Sequence, residues 1–398
     1  MSRVNITAAK QTVFVMALGQ ALSMTGASIV MLVTALAGAY LAPDARLATL
    51  PLAIQFVFTM IAAFPAALWM KKVGRRIGFT AGQIIGVSGG VVSCLALLDN
   101  NFLVLIAGAA LLGAHNAFWG YYRFAAAEAA PPDFRARAIS FVMAGGIVSA
   151  IAGPELAKAT RELFSPVLFA GCYAALAALS AVAAVLIQFA ALPAPRSGLR
   201  RGEVPARSLK EITAQPVFIV AAVSGMVGYG TMILVMSATP LSMVDCGLSF
   251  EDAAFVIQWH ALAMFGPSFF TGSLIKRFGV LRIITTGIIL NVGCMAANLS
   301  GIELANFWTG LVALGLGWNF MFIGGTTLLT ECYRTEEQEK TQAANDCLIF
   351  ATISVATFSS GALQNSFGWE AVNGAMVVPL SIAMAAVVWL ASRQRRTA

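Results

Sequence analysis

Twelve apolar runs, each long enough to cross a bilayer as an α-helix, where about 20 residues are needed, follow one another along this 398-residue chain. The first six lie near residues 12–40, 48–70, 78–98, 102–127, 137–157 and 166–192, and the second six near 216–243, 252–275, 281–300, 305–330, 343–364 and 371–391. Composition agrees with a membrane solvent. Hydrophobic residues make up 59% and charged residues 11%, against about 25% charged in an ordinary soluble domain, and the mean hydropathy is +0.81. The first run, preceded by Arg3 and Lys10, exceeds the apolar core of a secretory signal, about 7 to 15 residues, and is expected to stay in place as the first helix. The predicted fold class is an all-α membrane protein of twelve transmembrane helices.

One polar stretch interrupts the series. Residues 193–215 carry Pro193, Pro195, Arg196, Arg200, Arg201, Arg207 and Lys210, so the expected organisation is a six-helix bundle over 1–192, a linker over 193–215 and a second six-helix bundle over 216–398. Lys and Arg gather at the cytoplasmic ends of membrane helices. Alternating the loops puts 22 of the 25 on the side of the N-terminus and the linker, and leaves Arg46, Lys158 and Arg161 opposite. Both termini are therefore expected in the cytoplasm, with the inner membrane as the bilayer. The formal charge of +7 then reflects helix orientation and not nucleic-acid binding.

The two halves repeat. Gly113–Glu128, GAHNAFWGYYRFAAAE, and Gly317–Glu331, GWNFMFIGGTTLLTE, hold their landmarks in the same order, from 116 to 319 for the asparagines and from 128 to 331 for the glutamates, an offset of 203 in each case. A duplicated membrane domain that keeps polar groups inside it is the pattern of a secondary transporter. Pro65, Gly153-Pro154, Pro240 and Gly266-Pro267 interrupt the helices, and each proline leaves a backbone carbonyl for a neighbouring helix or cavity water to satisfy. A packing kink and an alternating-access hinge both fit such positions.

The loops carry a family resemblance. Ala67–Phe79, ALWMKKVGRRIGF, and Gly272–Ile283, GSLIKRFGVLRI, each set a turn glycine, Gly74 or Gly279, among cations. This resembles the signature of the major facilitator superfamily, where a glycine, a leucine and an acid precede a cation and then Gly-Arg-Arg or Gly-Arg-Lys. Lys72, Gly74, Arg75 and Arg76 match in the first copy, and Gly272, Leu274, Arg277, Phe278 and Gly279 in the second; Lys71 and Lys276 stand where the acid belongs. Around the eighth span and from the tenth to the eleventh, the sequence resembles a bacterial subgroup of small-solute permeases that includes riboflavin importers. The resemblance implies two pseudo-symmetric six-helix bundles rocking about a central site, lined by spans 1, 4, 7 and 10 and flanked by 2, 5, 8 and 11. With the acid missing, Glu128 and Glu331 are expected to replace it. Arg75 would pair with Glu128, and Lys276 or Arg282 with Glu331, closing an inner gate; solvated charges that merely orient helices are the plainer reading.

Polar side chains inside the spans are costly in lipid and are the site candidates. His115 and His260, the two histidines, can carry a proton near neutral pH or sit neutral between helices. Arg123 can attract a polar solute or pair with Asp346, and Glu155, close to Lys158 and Arg161, can cap the outer end of the fifth span or carry a proton. Gln55, Asn116, Gln258 and Asn319 recur in corresponding places; with Gln20 they can read a neutral heterocycle or polyol, or bind helix to helix. Trp119, Tyr122, Tyr229 and Trp318 offer ring faces to a flat solute, or pack the core.

No GxxxxGK[ST] loop, HExxH or GxSxG motif occurs, and the six cysteines lack metal-ligand spacing, so no nucleotide hydrolysis, catalytic residue, metal or cofactor is expected. The expected protein is a monomeric secondary transporter, not an enzyme, that moves a small organic solute, riboflavin or a similar heterocycle, by alternating access with protons. Two alternatives stand beside it. Gly153-Pro154 partly matches the fifth-helix motif of drug/proton antiporters, although Ala157 and Lys158 occupy positions of further glycines, which leaves an exporter open; the other is a solute-sensing membrane protein that does not cycle.

Overall fold

The computed structural model describes residues 6–131, 134–192, 207–334 and 337–397, and the elements among them are helices. Residues 193–206 of the predicted linker, with Arg196, Arg200 and Arg201, lie outside the described residues, as do Arg3 and the side chains of Arg135, Arg137 and Arg396. The chain divides into two compact units, Met1–Gly198 and Leu199–Ala398.

In the first unit, α1 (Ile6–Leu41), α2 (Leu50–Val73), α3 (Arg75–Leu98) and α8 (Ala170–Ile187) are single spans. The fourth span is broken into α4 (Phe102–Trp119) and α5 (Tyr122–Ala129), and the fifth into α6 (Arg135–Met143) and α7 (Gly145–Thr160). The second unit begins with the short α9 (Leu209–Thr213) and continues with α10 (Pro216–Asp245), α11 (Phe250–Phe265), α12 (Ser268–Phe278), α13 (Val280–Leu299), α14 (Leu304–Thr330), α15 (Gln338–Gly374) and α16 (Val377–Thr397). Among the described residues, ten stretches are long and apolar enough to cross a membrane, and α11 with α12, bent by 45°, makes an eleventh. The last stretch, Lys340–Arg395, has 56 residues, about 84 Å of helix at a rise of 1.5 Å per residue, more than twice a hydrocarbon core of about 30 Å. It breaks at Gly368, where φ is 78°, and so supplies the eleventh and twelfth spans. A chain with these twelve spans is an integral membrane protein.

Local chemistry sets the ends of these helices. Asn101 accepts from the amides of Leu103 and Val104 at the start of α4, and Ser249 and Asp252 close a reciprocal capping box on α11, which satisfies amides that the first turn leaves free. Gly74 and Gly279 join α2 to α3 and α12 to α13 as single residues at φ 90° and 89°, a region costly for any residue with a Cβ. The sixth helix begins at Ala170 and not near 166, because residues 161–169 form a turn closed by the Phe169 amide donating to the Arg161 carbonyl at 2.8 Å.

Within the first unit α3 packs on α4 and α8, α2 on α4, and α1 on α7 and α8; within the second, α14 packs on α13, α10 and α11, and α10 on α15. Small residues permit this closeness, as usual for helices in lipid. A Cβ on Gly86 of α3 would lie 2.7 Å from His115 Nδ1 and 2.8 Å from Ser180 Oγ, so three helices meet at one glycine.

Candidate functional site

The first unit holds a cleft among α1, α2, α4 and α8, lined by apolar residues and by Ser23, Gln55, His115, Asn116 and Ser180. Gln55 is 4% exposed, and its Oε1 has no hydrogen-bond partner among the described residues. His115 is buried, with Nδ1 2.9 Å from the Gly82 carbonyl of α3. A carbonyl only accepts, so Nδ1 carries the proton and Nε2 is the acceptor of the neutral ring. Asn116 is half-buried and accepts the Trp119 indole N–H at 3.0 Å. The Thr59 hydroxyl lies 3.0 Å from the Gly113 carbonyl and 2.9 Å from its own helix at Gln55, which fixes α2 to α4 beside the cleft.

Behind the cleft, Gln83 of α3 donates to Ser23 at 2.9 Å and to the Tyr122 hydroxyl at 2.7 Å. Tyr122 is fully buried, edge-on to Phe79 with ring centroids 4.7 Å apart. Its ring is thus core and its hydroxyl part of a helix-bridging network, not an open stacking face. Gln20 is also buried, with Oε1 unpartnered among the described residues. Arg123 lies on the exposed side of α5, its guanidinium 4.8 Å over the Phe124 ring.

In the second unit the aromatic candidates come together. Trp318 and Phe322 stack at 5.0 Å with planes 10° apart, and Tyr229 stands edge-on to both, at 5.3 and 5.4 Å; Phe265 meets Trp318 at 6.2 Å. Tyr229, Phe265 and Phe322 are only partly buried, which leaves part of this cluster uncovered. Asn319 does not join it. It is fully buried, donates to the Met264 carbonyl at 2.7 Å and to Ser268 Oγ at 2.8 Å, and accepts from the Thr271 hydroxyl at 2.7 Å. The Gly266-Pro267 bend releases the Met264 carbonyl from its helix, and Asn319 satisfies it, so this amide is a clamp on the break and not a free ligand group. His260 is likewise sealed between α11 and α14, Nδ1 2.7 Å from the Leu311 carbonyl. Gln258 is half-buried and adjoins the exposed Trp259.

The charged candidates separate by half. Arg75 grips Glu128 through two contacts, Nε to Oε2 at 2.9 Å and the second nitrogen to Oε1 at 2.5 Å. Glu331 pairs with neither Lys276 nor Arg282 among the described residues, and all three are exposed. Position explains the difference. The residue just after the turn glycine is Arg75 in the first half and Val280 in the second, with Lys276 three residues before Gly279 and Arg282 three after it. Glu155 is exposed and bound to Lys158, one turn away, at 2.5 Å; Asp346 is exposed near the start of α15.

A buried charge node of the second unit is one that sequence reasoning missed. Glu337, 0% exposed, accepts from the Arg207 guanidinium at 2.6 and 2.9 Å, from the Arg207 amide at 2.8 Å and from the Arg334 amide at 3.0 Å. These bonds, the guanidinium's first, hold its carboxyl far below the usual carboxylate range. Arg207 also donates to the Cys332 carbonyl at 3.0 Å and receives the Lys340 ammonium on its own carbonyl, so the described end of the linker is fastened to the second unit. In sequence Glu337 is one acid in TEEQEK, with nothing to distinguish it from solvated neighbours. Gln83 could have been found, as an amide in the apolar third span.

Residues 16–297 match the sequence model of the Major Facilitator Superfamily. The riboflavin transporter RfnT of Brucella anthropi is 38% identical over 367 residues, 92% of each chain, and the uncharacterized MFS-type transporter YdeG of Bacillus subtilis is 27% identical over 394 residues, 94% of this chain and 88% of that one. The crystal structure of a bacterial homologue of the human lysosomal transporter Spinster shares the fold, with a TM-score of 0.70 at 17% identity over 96% of each chain. Twelve spans, paired glycine turns and a match over most of the length agree: the chain belongs to the major facilitator superfamily of transporters.

Proposed function

We propose that this transporter imports a flat, neutral heterocycle of the flavin type across the inner membrane, by alternating access and together with protons. The observation that carries the reading is the 38% identity to a riboflavin transporter over 92% of both chains. The partly uncovered rings of Tyr229, Phe265 and Phe322, packed around the buried Trp318, support it, since a planar ring system gains most from stacking. Bound to the Gly82 carbonyl at Nδ1 and lining the cleft, His115 has Nε2 left to take up a coupling proton, and the Arg75–Glu128 pair would hold the inner gate. The protein acts as a monomer with both termini in the cytoplasm.

The test is growth and uptake in a riboflavin-auxotrophic bacterium. Expression of the chain should restore growth at low external riboflavin, and a protonophore should abolish the uptake. Failure to rescue, with the protein present in the membrane, removes the flavin reading; rescue that survives the protonophore removes the proton.

A further inference from the structure

The cleft of the first unit has a chemistry of its own. Five polar side chains line it, and none bears a permanent charge. Gln55 presents an unpartnered carbonyl oxygen in a side chain that is 4% exposed. His115, with its Nδ1 proton committed to Gly82, has an acceptor at Nε2. Asn116 has its oxygen engaged by Trp119, and its amide N–H groups have no partner among the described residues. Ser23 Oγ takes one bond from Gln83, and Ser180 adds a second hydroxyl. Acceptors and donors therefore share one space, walled by Leu22, Leu112 and Leu176.

A carboxylate or phosphate would find only weak donors here and no cation, and an ammonium would find no anion, so either would lose hydration without compensation. A hydroxyl both donates and accepts, and it matches such a set. We propose that this cleft is the subsite for the hydroxylated chain of a neutral solute, a proposal that rests on the flavin reading, under which that chain is the ribityl polyol. The closed part of the cleft has room for about one water molecule. The polyol accordingly enters as α1, α2, α4 and α8 part.

The measurement is binding to the purified full-length protein, read by flavin fluorescence, with riboflavin and with lumiflavin, which keeps the ring and replaces the polyol by a methyl group. The wild type should favour riboflavin by about tenfold or more, the worth of one or two hydrogen bonds. Gln55→Leu and Ser180→Ala should each lower that ratio, by about three- to tenfold; Ser180→Ala removes one oxygen only, so it remains informative if Gln55→Leu misfolds. If the wild type binds both flavins equally, or the variants leave the ratio intact, the cleft holds nothing but water and the polyol assignment is overturned while the flavin reading survives. If the wild type binds neither, the flavin reading fails and this assignment fails with it.

Discussion

Two asparagines at equivalent positions, Asn116 and Asn319, do different work. Asn319 closes three hydrogen bonds in a fully buried setting, whereas Asn116 is half-buried and bonds only the indole one turn away. Asn319→Ala strands the Met264 carbonyl at the bend, and should lower stability by about 2 to 3 kcal/mol, since buried groups left unpaired cost roughly 1 to 3 kcal/mol each. Asn116→Ala should cost well under half as much. Thermal unfolding in detergent compares the two, and equal losses would show that Asn319 is no clamp. Glu337 gives a pH-dependent counterpart. Its carboxyl is held below the ordinary value of 4.5 in the folded protein, so its contribution is complete above that pH and is lost as the pH falls further, when the unfolded chain takes up the proton first. Glu337→Gln should therefore be less stable at pH 7, and the gap to the wild type should narrow below about pH 4.5, the unfolded reference. A gap that is constant from pH 7 to pH 3 would contradict the assignment.

At the level of helices, what the sequence predicts best is length and what it predicts least is partnership. Leu304–Thr330 was expected at 305–330 and Phe102–Ala129 at 102–127, because an apolar run ends where lipid ends. The breaks at Gly266-Pro267 and Gly368 differ in kind: a proline announces itself, whereas Gly368 resembles any helical glycine until its φ of 78° is seen. Packing depends on small residues whose importance shows only in three dimensions. Gly86→Ala should destabilise by about 1 to 3 kcal/mol, the usual cost of overpacking, because the new methyl meets His115 and Ser180 from two other helices. Gly293→Ala, with nothing within 4 Å of its Cβ position, is the control and should change little or gain slightly from helix propensity. Denaturant titration of both variants decides this; a loss at Gly293 equal to that at Gly86 would place the cause in the helix backbone and not in the contact.

Over the whole molecule, the Arg75–Glu128 pair is partly exposed, and such pairs contribute only about 0.2 to 1 kcal/mol. A role in the transport cycle therefore predicts large effects on uptake with small effects on melting temperature. Arg75→Glu or Glu128→Arg alone should reduce uptake in proteoliposomes about tenfold or more, equivalent to about 1.4 kcal/mol, and the double reversal should recover most of it. Single reversals that transport at the wild-type rate would reduce the pair to helix orientation. The chain alone determined the twelve spans, the duplication and the glycine turns, because these follow from apolar run length, from internal offset and from the conformations open to a residue without Cβ. It also supplied Arg75 with Glu128, since the cation directly follows the turn glycine. Which polar groups face a cleft, and which are consumed in holding helices together, was decided only in the tertiary structure. An amide at bilayer depth takes whichever partner the neighbouring helix offers, and for Asn319 that partner is a carbonyl left free at the Gly266-Pro267 bend, more than fifty residues earlier in the chain.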